Sequence, residues 1–280
     1  SNTALGAIGE LKLSNAIVLR IMPGPDLPVA PFRLRQAGYT LFSGTHWFAR
    51  AAFRPVSRYL DLTLPEALQD DNWLFNPLPN DRHPRLKTLV IYSRSNRKMA
   101  VLPCPDGTVQ IAELEAGQCG INPLQTIRAS GVRGFVKTRV YHTGRPDFDA
   151  EPGPGDRFIP KAHRNWTRRL AVQLKLHRSA PEDRIRLTRQ FYARNFTYTL
   201  NLDGKGGYQT SLENFVFNTR AGHCEFFATA TVLLLRQAGI PARYITGFMV
   251  HEKDPVTGHF IAREQDGHAW ARAYVRGQWI

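Results

Sequence analysis

The sequence predicts an α+β protein. An N-terminal all-β sandwich or small barrel precedes a core in which a buried cysteine helix packs on an antiparallel sheet. Three observations carry this prediction. Residues 1–145 read as short apolar runs broken by turn residues, at the spacing of an all-β fold. Past residue 155 the apolar period lengthens to that of helices. Phe226 to Leu235 is apolar on nearly every face, the pattern of a helix surrounded by protein. Residues 146–155, which include Pro152-Gly153-Pro154-Gly155, are read as a linker between a β-rich domain over 1–145 and a core over 156–280.

In the first half, Leu11–Leu13 and Ile17–Ile21 are strand candidates, followed by a Pro/Gly-rich break from Pro23 to Pro31. Tyr39–Phe42 and His46–Ala49 flank Ser43-Gly44 as a hairpin. Leu89–Tyr92, Lys98–Leu102, Val109–Ala112 and Phe135–Tyr141 continue the series, and Leu64–Leu68 is the one helical candidate. His46 and His83 sit among aromatic residues and prolines without partner ligands and are read as structural.

In the second half, Trp166, Leu170 and Leu174 recur every four residues on one helix. A second helix opens at Ser179-Ala180-Pro181-Glu182, a capping-box spacing with proline in the first turn. Phe196–Leu200 is a short strand, and Asp203–Gly207 is a glycine-containing loop without the residue order of a phosphate loop. The central helix starts near Gly222 and stops where Gly239 takes a left-handed turn before Pro241. Arg243–Val250 is a strand. In His268–Val275, the residues His268, Trp270, Arg272 and Tyr274 share one face, while Ala269, Ala271, Ala273 and Val275 form a small face suited to lie against a helix.

Composition excludes disordered and collagen-like classes, with 42% hydrophobic and 21% charged residues in 280. No apolar stretch approaches the roughly 20 residues a bilayer needs. Ser1 to Glu10 lacks a basic segment followed by an apolar one, so the chain reads as a soluble portion of a longer protein. The net charge of +14 calls for nucleic acid, anionic lipid or an acidic substrate. No glycine-rich, stacking or zinc-ligand pattern accompanies the basic run from Arg157 to Arg194, so nucleic acid is not expected as a partner. No cofactor or metal is expected either. Three cysteines are too few for a disulfide framework; Cys104 and Cys119 flank a predicted hairpin and are expected to pair if the compartment is oxidising.

Cys224 falls in the first turn of the central helix, where free backbone N–H groups and the helix dipole favour a thiolate. On this stretch alone, packing and chemistry weigh equally, because free cysteine is often core filling. Glu225 beside it would oppose the thiolate and is expected to face solvent or pair with Arg220.

A helix opening with Gly222-His223-Cys224, a strand following Gly239-Ile240-Pro241-Ala242-Arg243, and His268-Ala269-Trp270 opening a later strand together resemble the transglutaminase-like superfamily of Cys-His-Asp enzymes. The likeness covers roughly Arg164 to Ile280. The first half more loosely resembles the domain that precedes this core in bacterial membrane-anchored members. The resemblance implies a transglutaminase-like, papain-like core, with Cys224 as nucleophile and His268 as its base. It also implies cysteine-dependent acyl transfer on a protein or peptide amide and a periplasmic location with a membrane tether. Cysteine peptidase or amidase activity, with water as acceptor, is the same chemistry. A non-catalytic envelope module that contacts anionic lipid or cell-wall polymer is the alternative from another class. The family's aspartate stands on the strand after the histidine strand and is expected beyond Ile280. Asp266 is discounted as its substitute. Without an orienting carboxylate, His268 is expected to be less well aligned and activity lower.

Overall fold

Leu19 and Ile21 on one strand, and Leu89 and Ile91 on its neighbour, turn the same way off the pleat, and that side is the inside of a sandwich. The computed structural model describes residues 2–25, 30–59, 72–78, 85–95, 98–146, 148–200 and 211–280. Among them, one antiparallel sheet runs in the order Glu252–Lys253, Phe260–Arg263, Ile17–Pro23, Lys87–Ser95, Gly134–His142, Thr108–Ala112, Asn72–Leu74, Arg58–Tyr59. A second runs Met99–Val101, Ile127–Ser130, Gln118–Ile121, Arg54–Val56. Ile21, Ile91, Ile111 and Val140 from the first meet Val56, Ile121 and Ala129 from the second in one buried cluster. Each such aliphatic side chain contributes about 1.5–3 kcal/mol by leaving water.

The other cluster surrounds the cysteine helix, Cys224–Gln237, which packs on a third antiparallel sheet ordered Gln278–Trp279, Gly267–Val275, Ala242–Val250, Phe32–Tyr39. Val232, Leu233 and Leu234 are fully buried. The helix ends in a Schellman motif: Gly239 has φ +81, its N–H donates to the Arg236 carbonyl, and the Ile240 N–H donates to the Leu235 carbonyl. The expected small face of the histidine strand, Gly267–Val275, does lie here, with Ala269 and Ala273 buried in this cluster.

The clusters interleave along the chain. Ile8, Tyr39, Phe42 and Trp47 belong to the cluster around the helix, whereas Val250, Phe260 and Ala262 belong to the sandwich. The strand Phe32–Tyr39 pairs with Ala242–Val250 through a bulge at Thr246/Gly247, where any Cβ on Gly247 would lie 2.0 Å from the Leu34 carbonyl oxygen. The Pro/Gly-rich stretch is no free spacer. Its Asp149, with a fully buried side chain, pairs with Arg35 at 3.0 Å, Arg272 at 3.1 Å and Arg243 at 3.3 Å. Asp156 pairs with Arg243 at 2.9 Å.

Most expected strands are present, as are the helices Arg164–Gln173 and Pro181–Asn195. Three local expectations are corrected. Leu11–Leu13 is not a strand: a helix over Ala7–Leu11 runs into a turn, because its first N–H groups are held by a carboxylate described below. The Ser179 side chain does not cap the second helix. Ala180 is the N-cap, and the Ser179 hydroxyl donates to the Lys175 carbonyl at 3.1 Å. Cys104 and Cys119 are free thiols packed in the sandwich core, where burial pushes both up to about 12 and so disfavours the thiolates a disulfide forms from. Leu64–Leu68, His83 and Asp203–Gly207 lie outside the described residues.

Candidate active site

The approach to Cys224 is shaped by a tight entry into its helix. After a π turn over Phe215–Thr219, Arg220 at φ +49 reverses the chain, and Ala221–Gly222 pairs in parallel with Thr197–Tyr198. Space is tight at Gly222, where a Cβ would stand 3.0 Å from the Phe215 ring. His223 is then the N-cap and Cys224 the first helical residue, as the stop and start signals predict. The first-turn Cys224 N–H has no carbonyl one turn back to bond.

Cys224 and His268 line the same cavity, of about 540 Å³. Phe227, Ala228, Thr231 and Leu235 of the helix contribute to it on one side, and Ala269, Trp270 and Ala271 of the histidine strand on the other. The cysteine is nearly enclosed, at 3% exposure, so the cavity is its route to a ligand. Trp270 is cleft wall, its ring centroid 6.3 Å from that of His268 at an interplanar angle of 21°.

The sulfur is held between opposing influences. Burial pushes the Cys224 thiol up and Glu225 adds to this, while the Lys12 ammonium, the Ala269 N–H and the Tyr198 hydroxyl pull it down. Burial brings His268 down to about 4, with the Lys12 and Arg33 cations adding to the fall. At neutral pH the resting site therefore holds a neutral thiol and a neutral imidazole, not the thiolate–imidazolium pair that the helix terminus alone suggests. Burial is the main cause for both, and among the described residues no carboxylate offsets it at His268. Asp266 is occupied elsewhere, accepting from the Arg263 N–H at 2.7 Å.

Sequence reasoning misplaces one neighbour of the thiol and misses another. Glu225 neither faces solvent nor pairs with Arg220. It is fully buried, and its Oε2 accepts from the backbone N–H groups of Gly6, Ile8 and Gly9 at 3.0, 3.1 and 3.2 Å. Burial raises it to about 7 despite these donors. His223 is buried too, and neither nitrogen of its ring has a hydrogen-bond partner among the described residues. Its Nδ1 lies 3.7 Å from Glu225 Oε2, and burial brings it down to about 4. The missed residue is Tyr198, whose hydroxyl lies against the Cys224 thiol and backbone N–H. The parallel pairing of Tyr198 with Gly222 sets it there, and no periodicity announces a two-residue bridge. Among the described residues no group of acidic, histidine or cysteine side chains is arranged to hold a metal.

With this geometry in view, the model of the transglutaminase-like superfamily matches residues 168–280. Residues 168–280 form a transglutaminase-like domain. A protein-glutamine gamma-glutamyltransferase of Pseudomonas aeruginosa is 34% identical over 115 residues, which is 40% of this chain and 17% of that protein. An uncharacterized protein of Bacillus subtilis, YebA, is 28% identical over 134 residues, 45% of this chain and 18% of that one. The matched stretch thus spans less than a fifth of either curated relative. The crystal structure of the periplasmic domain of TgpA from Pseudomonas aeruginosa aligns over 100% of this chain and 91% of its own, with a TM-score of 0.70 at 20% identity. The ethylmercury-bound form of that domain gives 0.69. The transglutaminase-like domain and the β-rich region before it therefore share the fold of that domain. No helix among the described residues is long and apolar enough to cross a membrane.

Proposed function

We propose that this chain carries out cysteine-dependent acyl transfer on glutamine side chains or peptide amides, with Cys224 as nucleophile and His268 as general base. The observation that carries the reading is the cavity these two residues share. As the Cys224 sulfur attacks the amide carbon, His268 takes the thiol proton. The C–N bond then breaks, and the proton leaves with the departing ammonia or amine, which leaves a thioester on the cysteine. An incoming amine attacks the thioester, passes its proton to His268 and frees the thiol, while water in place of the amine gives deamidation or cleavage. The Cys224 N–H and the Tyr198 hydroxyl are the donors for the oxyanion.

The family's orienting aspartate belongs on the strand that follows the histidine strand. Gln278–Trp279 pairs antiparallel with the histidine strand, Trp279 opposite Tyr274 and Gln278 opposite Val275. The likeness to the TgpA domain supports a periplasmic, membrane-tethered setting.

The test is ammonia release from a glutamine-containing peptide, with and without an added primary amine. Cys224→Ser should abolish release, and His268→Ala should lower kcat by about 10²–10⁴-fold. Release that persists in Cys224→Ser would end the proposal, and release that ignores the amine would assign the hydrolytic form.

A further inference from the structure

The cavity at Cys224 has a one-sided charge. Arg33, near the start of the strand Phe32–Tyr39, and Arg189, on the helix Pro181–Asn195, both line it, and no Asp or Glu does. The Arg33 guanidinium carbon lies 5.4 Å from the centroid of the Trp270 ring, another residue of the cavity wall. Arg189 is exposed. The two are close enough to repel. Partial burial pushes Arg33 down, Arg272 and Arg189 add like-charge repulsion, and Asp106 opposes it.

In the buried node, by contrast, Arg35, Arg243 and Arg272 share Asp149, and on the sandwich Lys137 and Arg139 share Glu113. Among the described residues, neither Arg33 nor Arg189 forms an ion pair with a carboxylate, and Asp106, which acts on Arg33 as a charge, is bound to Arg272. The two acids closest in sequence to Cys224 and His268 do not serve, because Glu225 is clasped by three backbone N–H groups and Asp266 by the Arg263 N–H. A planar guanidinium presents paired donors matched to a carboxylate, and two facing one cavity bind an anion better than either repelling neighbour does alone.

We propose that Arg33 and Arg189 form a carboxylate-binding subsite of this cavity, so that its acyl donor is an acidic peptide whose Asp or Glu side chain the two arginines hold while a neighbouring amide reaches Cys224. The subsite rests on the acyl-transfer reading for its purpose, but it is tested without turnover. Both arginines reach solvent, so each contributes modestly, and the effect is salt-sensitive.

The experiment compares alkylation of Cys224 by iodoacetate and by iodoacetamide at pH 9, with free cysteine as reference and peptide mapping to isolate the site. The iodoacetate-to-iodoacetamide rate ratio should exceed that of free cysteine. It should fall about three- to tenfold in Arg33→Gln/Arg189→Gln and in high salt, while the iodoacetamide rate, the control for folding, holds. A ratio unchanged in the double variant, or one lost in Lys12→Gln alone, overturns the subsite. If neither reagent reaches Cys224, the acyl-transfer reading fails. The subsite is then judged by fluorescence anisotropy of a labelled Gln-Glu peptide against its Gln-Gln counterpart. Preference for the acidic peptide that disappears in the double variant upholds it, and equal binding overturns it.

Discussion

Glu225 shows what a single side chain does to the site. Its carboxylate ties the first turn of Ala7–Leu11 to the first turn of the cysteine helix, and that tie brings Lys12 to where its charge acts on Cys224, His223 and His268. Tyr244 contributes its hydroxyl at 3.5 Å, and His223 Nδ1 stands 3.7 Å away. Because burial raises Glu225 from 4.5 to about 7, the stability it contributes is fully present below its unfolded value and is lost as pH climbs through about 7. Ionising it in the folded state costs on the order of 3 kcal/mol. The depressed histidines run the other way, being neutral when folded, so the parent's own curve mixes both effects. The informative quantity is the difference from Glu225→Gln. Relative to that variant, the parent should lose on the order of 3 kcal/mol of unfolding free energy between pH 4.5 and pH 8 in urea titrations. Parallel curves would show that the carboxyl does not titrate in this window.

At the scale of elements, the cysteine helix, the histidine strand and the strand between them are what present the site, and all three are legible in the sequence. The helix announces itself by apolar residues on every face with a glycine stop, the strand by alternation that sorts Ala269 and Ala273 to the side that meets the helix. The approach loop is less legible. Glu225 reads as a surface residue because its partners are backbone N–H groups 216 to 219 positions away, and main-chain donors leave no trace in residue type. Tyr198 escapes notice for the same reason, since a two-residue parallel bridge positions it. The bridge includes Gly222, where a Cβ would press on the Phe215 ring at 3.0 Å. Gly222→Ala should cost about 1–3 kcal/mol in thermal or urea unfolding, as overpacking does. It should also slow acyl transfer by displacing Tyr198 from the thiol. A variant with unchanged stability and rate would show that this approach tolerates a methyl group.

Across the whole molecule, the two hydrophobic clusters exchange strands, and the stretch read as a linker holds the ionic node between them. Change of period marks where helices begin, but it does not say which core a strand serves. Phe32–Tyr39 and Phe260–Arg263 each belong to a sheet rooted mainly in the other part of the chain. The node is formally neutral, three arginines against Asp106, Asp149 and Asp156, so the positive excess lies outside it. Arg35, Arg243 and Arg272 are buried around Asp149, while Arg184 donates to the Ala238 carbonyl at the C-terminal end of the cysteine helix, where cations are favoured. Asp149→Ala leaves three buried guanidinium groups short of their shared acid and should cost about 3–5 kcal/mol. Denaturant titration followed by tryptophan fluorescence reads this, and a loss below about 1 kcal/mol would mean that Asp106 and Asp156 suffice to hold the arginines. The helix, the histidine strand and the buried carboxylate all converge on the Cys224 thiol, the proposed nucleophile. Intact-mass spectrometry after acid quenching of the chain with excess glutamine-containing peptide and no added amine tests this role most directly. The account predicts an adduct equal to the peptide minus ammonia, mapped to Cys224, absent in Cys224→Ser and slower to form in His268→Ala. No adduct, or one mapped to another residue, would contradict it.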